Sequence, residues 1–280
     1  MSRSLRPAVA IAGALACLAF PAGALAKGGP PPNLTCTATG STVVYSGTYS
    51  NVTVPPGQTC YLSDATVLGN VVVESTGSVE LENNGSVGGS LLVGSQGSAF
   101  EDTGWVINGP TAGNSAETLT ITGTTHSILV NNTQVLSIGS ATIDGSIVSN
   151  GGVYGGSISS SIVHGNVLVN GTTGSDGTGG TWLIAGPQLN GNPQQIDGNL
   201  VLTNNQATIY AFDNNINQNL VCEGNNPPPI TEIGTEGNTV GGSSIGQCAA
   251  PNSGDTSAAV TAARAGSAAN AAADALQAAR

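Results

Sequence analysis

Residues 69–73 read GNVVV, and residues 89–93 read GSLLV. The phrase returns as HSILV at 126–130, GSIVS at 145–149, GNVLV at 165–169, GNLVL at 198–202 and QNLVC at 218–222. Successive first residues lie 20, 37, 19, 20, 33 and 20 positions apart, so the repeating unit is 19 or 20 residues. The step of 37 is nearly two units with a poorly marked phrase between them, and the step of 33 is one unit carrying an insertion. Each phrase is short, rich in Val, Ile and Leu, and punctuated by Gly, Asn and Ser, which is the chemistry of strands and turns. Alternation is plain in SVELE (78–82) and TLTIT (118–122), where every second side chain faces inward. Helix-forming runs are missing between Cys36 and Cys248.

Strands that recur every 20 residues without helical crossovers predict an all-β fold, a parallel β-solenoid. A β-sandwich also has many short strands, but it does not require one phrase at a constant period. Eight to ten coils stacked about 4.8 Å apart would make a rod roughly 40–50 Å long. Gly and Asn at the corners supply the positive φ that tight turns need.

The two ends differ in composition from this middle. Arg3 and Arg6 precede the apolar run AVAIAGALACLAFPAGALA, which closes on Ala24-Leu25-Ala26. This is the pattern of an export signal cleaved after Ala26, with an uncleaved anchor as the weaker reading. Residues 27–35 read as a Pro/Gly-rich linker, 36–248 as the β-helix domain, and 249–280 as an Ala-rich tail with helical character. No other segment reaches membrane-spanning length, so no stable membrane insertion is expected after cleavage.

Four cysteines remain after cleavage, and an even number in an exported chain suggests disulfides. Three pairings are open, of which the local one, Cys36–Cys60 and Cys222–Cys248, is the most economical. Metal ligation is the alternative, but neither pair has C-x-x-C spacing. A triproline accompanies each pair, at 30–32 and 227–229. Proline cannot donate to a growing sheet, so these segments read as end caps against fibre growth.

Charge excludes one class of partner outright. Beyond Ala26 the basic residues are Lys27, Arg264 and Arg280, against 16 acids, and positions 28–263 contain no Lys or Arg. Phosphate-backbone binding depends on those side chains, so nucleic acid is not a partner.

The stretches NVTVPPGQTCYLSDATVLGNVVV (51–73) and NLVCEGNNPPPITEIGTEGNTVGG (219–242) resemble the ends of secreted bacterial right-handed parallel β-helix proteins. Most members of that group have no assigned activity, and the larger pectate-lyase-like superfold includes pectate lyases and polygalacturonases. The resemblance therefore implies architecture and an envelope or extracellular setting rather than a reaction. Lyases of the superfold use Arg or Lys as base, and the repeat region holds neither.

Several residues are candidates for chemistry. TGWVINGP (103–110) and GTWLIAGP (180–187) carry the only two tryptophans, with Glu101, Asp102 and Asp176 just upstream. Trp105 and Trp182 could stack on sugars while the neighbouring acids bond hydroxyls; the competing reading is one framework element laid down twice. The same carboxylates, in insertions at 94–117 and 171–190, define the alternative of a polysaccharide hydrolase. Glu101 and Asp102 are adjacent, however, and neighbours on a strand face opposite ways. Asp144, His164 and Asp197 precede the repeated phrase on successive units, a column that could bind a metal or orient an imidazole, although Leu68 and Gly88 share that column. GTTGSDGTGG (171–180) has Gly171, Gly174 and Asp176 of a Ca2+-binding repeat, in one incomplete copy. No serine has a nucleophile-elbow frame. The expectation is an exported non-enzymatic module, structural, adhesive or weakly glycan-binding, in contact with glycans or other envelope proteins. A flat Thr- and Val-rich face meeting another surface is a further possibility.

Overall fold

A computed structural model of the chain describes residues 29–37, 43–152, 154–174, 180–186, 194–233 and 236–249. The segments read as signal peptide and Ala-rich tail lie outside the described residues, as does Asp176. Among the described residues there are 27 strands and no helix, and 25 of the strands join in one hydrogen-bonded stack. Every pairing within that stack is parallel. The chain is a β-solenoid of about ten turns. An antiparallel pair, Glu232–Ile233 with Glu236–Gly237, stands apart.

Each turn contributes to three walls. The first wall is built from the repeated phrases: Leu34–Thr35, Val52–Val54, Val71–Val73 and Leu91–Val93 pair in sequence, and the series runs on to Leu220–Glu223 and Ser244–Gly246. The unmarked phrase within the 37-residue step is Thr111-Ala112-Gly113, which pairs with Leu91–Val93 below and Ile128–Val130 above. Its Ala and Gly hide the aliphatic signature. The first rung, Leu34–Thr35, begins inside the segment read as a linker.

Alternation decides what fills the interior. Val71, Val73, Leu91, Ile128, Val130, Ile147, Val167, Val169, Leu200 and Leu202 are fully buried on the first wall. Equivalent columns on the other walls complete one continuous aliphatic core. Corners turn through left-handed backbone, and ten of these residues are not glycine, Asn83, Asn132, Asn204, Asp64 and Asp213 among them. Short polar side chains tolerate this conformation because they bond locally.

The cysteines pair locally, with Cα–Cα distances of 5.7 Å for Cys36–Cys60 and 5.4 Å for Cys222–Cys248. Cys36 follows the first rung and Cys60 lies on the second wall one turn on, so the bond ties the N-terminal end together across the interior. Cys222–Cys248 does the same for the last two rungs of the first wall. The second triproline does not lie beyond the end, as the sequence suggested. It sits inside the last turn, before Ile230, which pairs in parallel with Tyr210. The reason is that Thr239–Val240 and Ser244–Gly246 add two more strands after it.

Stability in such a stack is a sum over neighbouring turns. Replacing Cys36 and Cys60 together by Ala is expected to cost the N-terminal turns about 3 kcal/mol. Hydrogen exchange should quicken at residues 52–67 and remain slow at 135–150.

Candidate functional site

Within each first-wall phrase the residues before and after the middle one face inward, so the middle residue faces out. Following the register upward, the outward column reads Val72, Leu92, Ala112, Leu129, Val148, Leu168, Val201, Val221 and Ile245. Nine consecutive turns place an aliphatic side chain on the outside. Leu92, Leu129 and Ile245 are 38%, 44% and 42% exposed, and the others are half-buried by their neighbours in the column.

This is not a requirement of the fold. The outward column of the third wall includes Thr48, Thr66, Ser86, Thr124, Thr142, Gln195, Asn215 and Thr239, interrupted only by Val106 and Ile162. A solvated solenoid wall thus accepts hydroxyls and amides, and the first wall departs from that pattern.

Uncharged polar columns flank the aliphatic one. On one side the Asn70 amide N–H donates to Asn51 Oδ1 at 3.0 Å, and the Ser90 N–H to Asn70 Oδ1 at 2.8 Å. Higher up, Asn199 Nδ2 donates to Asn166 Oδ1 at 2.9 Å, Asn219 Nδ2 to Asn199 Oδ1 at 2.9 Å, and the Ser243 N–H to Asn219 Oδ1 at 2.9 Å. Asn114, Asn131, Asn150 and Asn170 stack on the other side, with Glu74 and Glu223 only towards its ends. Each side-chain amide is spent on the next rung, which holds the surface in one geometry. A groove of about 600 Å³ opens in the lower half, lined by Pro56, Val72, Leu92, Ala112 and Leu129 with Asn114 and Asn131.

The residues singled out in the sequence fall elsewhere. Trp105 and Trp182 are 0% and 1% exposed and belong to the core, so neither ring offers a face to a sugar. This corrects the stacking-platform expectation. Trp105 is on the third wall directly over Gly85, and Trp182 on the second wall over Gly156. A Cβ at Gly85 would lie 2.5 Å from Trp105 Cζ2, and one at Gly156 3.0 Å from Trp182 Cη2. Each indole fits only because the rung beneath has no side chain. The indole N–H of Trp105 donates to the Glu82 carbonyl and that of Trp182 to Thr172 Oγ1, both at 3.0 Å. Because the two lie on different walls, the shared W-[VL]-I-x-G-P phrase is not one element placed at equivalent positions.

Glu101 and Asp102 diverge. Asp102 is exposed, and its Oδ1 accepts the Thr103 N–H at 2.8 Å. Glu101 replaces an aliphatic residue in an interior column between Leu81 and Ile121, 2% exposed, with no hydrogen-bond partner at either carboxyl oxygen. Burial raises its pKa well above 4.5. The two therefore do not form a paired acid and base. Glu80, outward on the second wall between the Tyr61 and Phe100 rungs, is raised to about 7 by burial and by the Glu82 charge.

The Asp144, His164 and Asp197 column forms as the register requires, at the corner before the first wall. Only two of the three side chains meet: His164 Nδ1 and Asp197 Oδ2 are 2.7 Å apart. Asp197 Oδ1 also accepts Gln195 Nε2 at 2.8 Å and Asn217 Nδ2 at 2.9 Å. Those bonds, with that to His164, lower its pKa and occupy the oxygens a metal would need. Among the described residues no three His, Cys, Asp or Glu are grouped to hold a metal.

The aliphatic wall was missed because the phrases were read as buried throughout. Period-two alternation applied to Val71-Val72-Val73 would have turned Val72 outward. No protein-family model matches the chain, and neither a curated protein nor a solved structure matches it.

Two measurements check these placements. Both indoles should resist collisional quenching by iodide in the native protein and become accessible on unfolding. Glu101 binds its proton more tightly folded than unfolded, so its contribution is intact below pH 4.5 and is lost as pH rises through that value. Glu101→Leu is expected to stabilise the protein at pH 7 by at least about 1–3 kcal/mol, with a smaller gain at pH 4, in denaturant titrations.

Proposed function

We propose that this chain is an exported, non-enzymatic structural or adhesive module that meets its partner through the first wall. One observation carries the reading: nine consecutive outward positions are aliphatic, while the third wall of the same solenoid is mostly Thr, Ser, Asn and Gln. An apolar strip this long exceeds what monomeric soluble proteins ordinarily leave uncovered. Two disulfides favour an oxidising compartment, in keeping with the signal-like N-terminus. The absence of Lys and Arg from 28 to 263 turns the surface away from anionic partners. The partner is accordingly an uncharged surface, such as an apolar protein face or a neutral glycan layer. The hydrolase alternative draws no support from Glu101 and Asp102, which face opposite sides.

The reading is tested by retention of the folded protein on uncharged alkyl-coated beads and on neutral polysaccharide. Leu92→Asp and Leu129→Asp replace exposed side chains and should fold normally. Each is expected to weaken retention about tenfold, equivalent to about 1.4 kcal/mol. Unchanged retention, or reducing ends released from the polysaccharide, would overturn the proposal.

A further inference from the structure

Resting on the reading of the first wall as the working surface, we infer that its partner is a second copy of this chain, packed face to face with the two rods antiparallel. Three features of the wall lead there.

The first is size. Eight spacings between nine rungs give a strip about 38 Å long, and the flanking columns lie about 13 Å apart. With side-chain margins the footprint is on the order of 700–800 Å² per partner, close to the 800 Å² or so that a stable protein interface buries on each side.

The second is charge. The chain carries a formal net charge of −11, so most pairings of its surfaces bring like charges together. Within this strip the only charges are Glu74 and Glu223, near opposite ends of one flanking column. Two copies can close on it without burying any carboxylate against another.

The third is shape. The groove lies over Ala112, where the column dips between Leu92 and Leu129. The upper half has no such dip, because Leu168, Val201 and Val221 follow one another. Turning one rod end for end places Leu92 against Val221, Ala112 against Val201 and Leu129 against Leu168. The ridge of each copy then enters the groove of the other. A parallel arrangement would instead set Ala112 against Ala112 and leave two grooves facing each other, empty. The antiparallel contact is isologous, and Val148, fifth of the nine, sits on its two-fold axis.

The experiment uses the full chain in a Cys17→Ser background, with mass measured by sedimentation and contacts mapped by a short bifunctional thiol cross-linker. The native protein should sediment as a dimer and Leu129→Asp as a folded monomer. Val148→Cys should cross-link to its own copy. Leu92→Cys alone should not, whereas Leu92→Cys mixed with Val221→Cys should. Self-cross-linking of Leu92→Cys would overturn the antiparallel arrangement. A native monomer whose Val148→Cys thiol is freely labelled, yet which adheres to alkyl beads through Leu129, would overturn the dimer and leave the adhesive reading standing. A native monomer with that thiol shielded would mean that the chain's own remaining segments cover the wall, which also overturns the dimer. A monomer indifferent to Leu129→Asp in both assays would remove both proposals.

Discussion

Parallel backbone hydrogen bonding between equivalent positions of successive turns is the constraint from which the rest follows. Once Val71 pairs with Leu91 and Leu91 with Thr111, every residue's neighbours above and below are fixed by the 20-residue period. A property written once in the repeat is therefore written as a column along the rod. Aliphatic residues inside become a continuous core, asparagines at a corner become an amide ladder, and an aliphatic residue outside becomes a strip. The strip is a collective feature. Leu129 alone would be an ordinary exposed leucine, but eight aliphatic neighbours in register make a surface.

The same constraint explains why large side chains need local concessions. At a spacing of about 4.8 Å an indole cannot lie beneath another full side chain. Trp105 and Trp182 are each accommodated by a glycine in the rung below, Gly85 and Gly156. These glycines are packing partners set by register rather than turn residues, and they draw the rings into the core. Glu101 shows the opposite case, a polar group that the register places among Leu81 and Ile121 without a partner. Its proton is retained because ionisation there would expose a charge to hydrocarbon.

Polar columns behave differently at the surface. His164 and Asp197 meet because register stacks them, and Gln195 and Asn217 complete the bonding of the same carboxylate. The result is a solvated ladder in which each oxygen is already answered, the same logic that locks the Asn166, Asn199 and Asn219 amides. Stacked polar residues in this protein stabilise one another before they can serve a ligand.

The sequence by itself determined the solenoid, its period, the identity of its first wall and the local disulfide pairs. Those features are encoded in spacing, which survives without coordinates: a phrase every 20 residues has few ways to pair with itself. It also located the Asp144, His164 and Asp197 column, because a column is a statement about period. Only the tertiary structure decided which way each side chain points and what lies above and below it. Trp105 looks like a surface platform until Gly85 is found beneath it, sixty degrees of freedom of sequence away from any motif that pairs the two. Val72, Leu129 and Val148 look like core until alternation on a closed tube turns them outward. Direction relative to a closed surface depends on where the chain bends, and those bends are set by corner residues whose conformations no periodicity records.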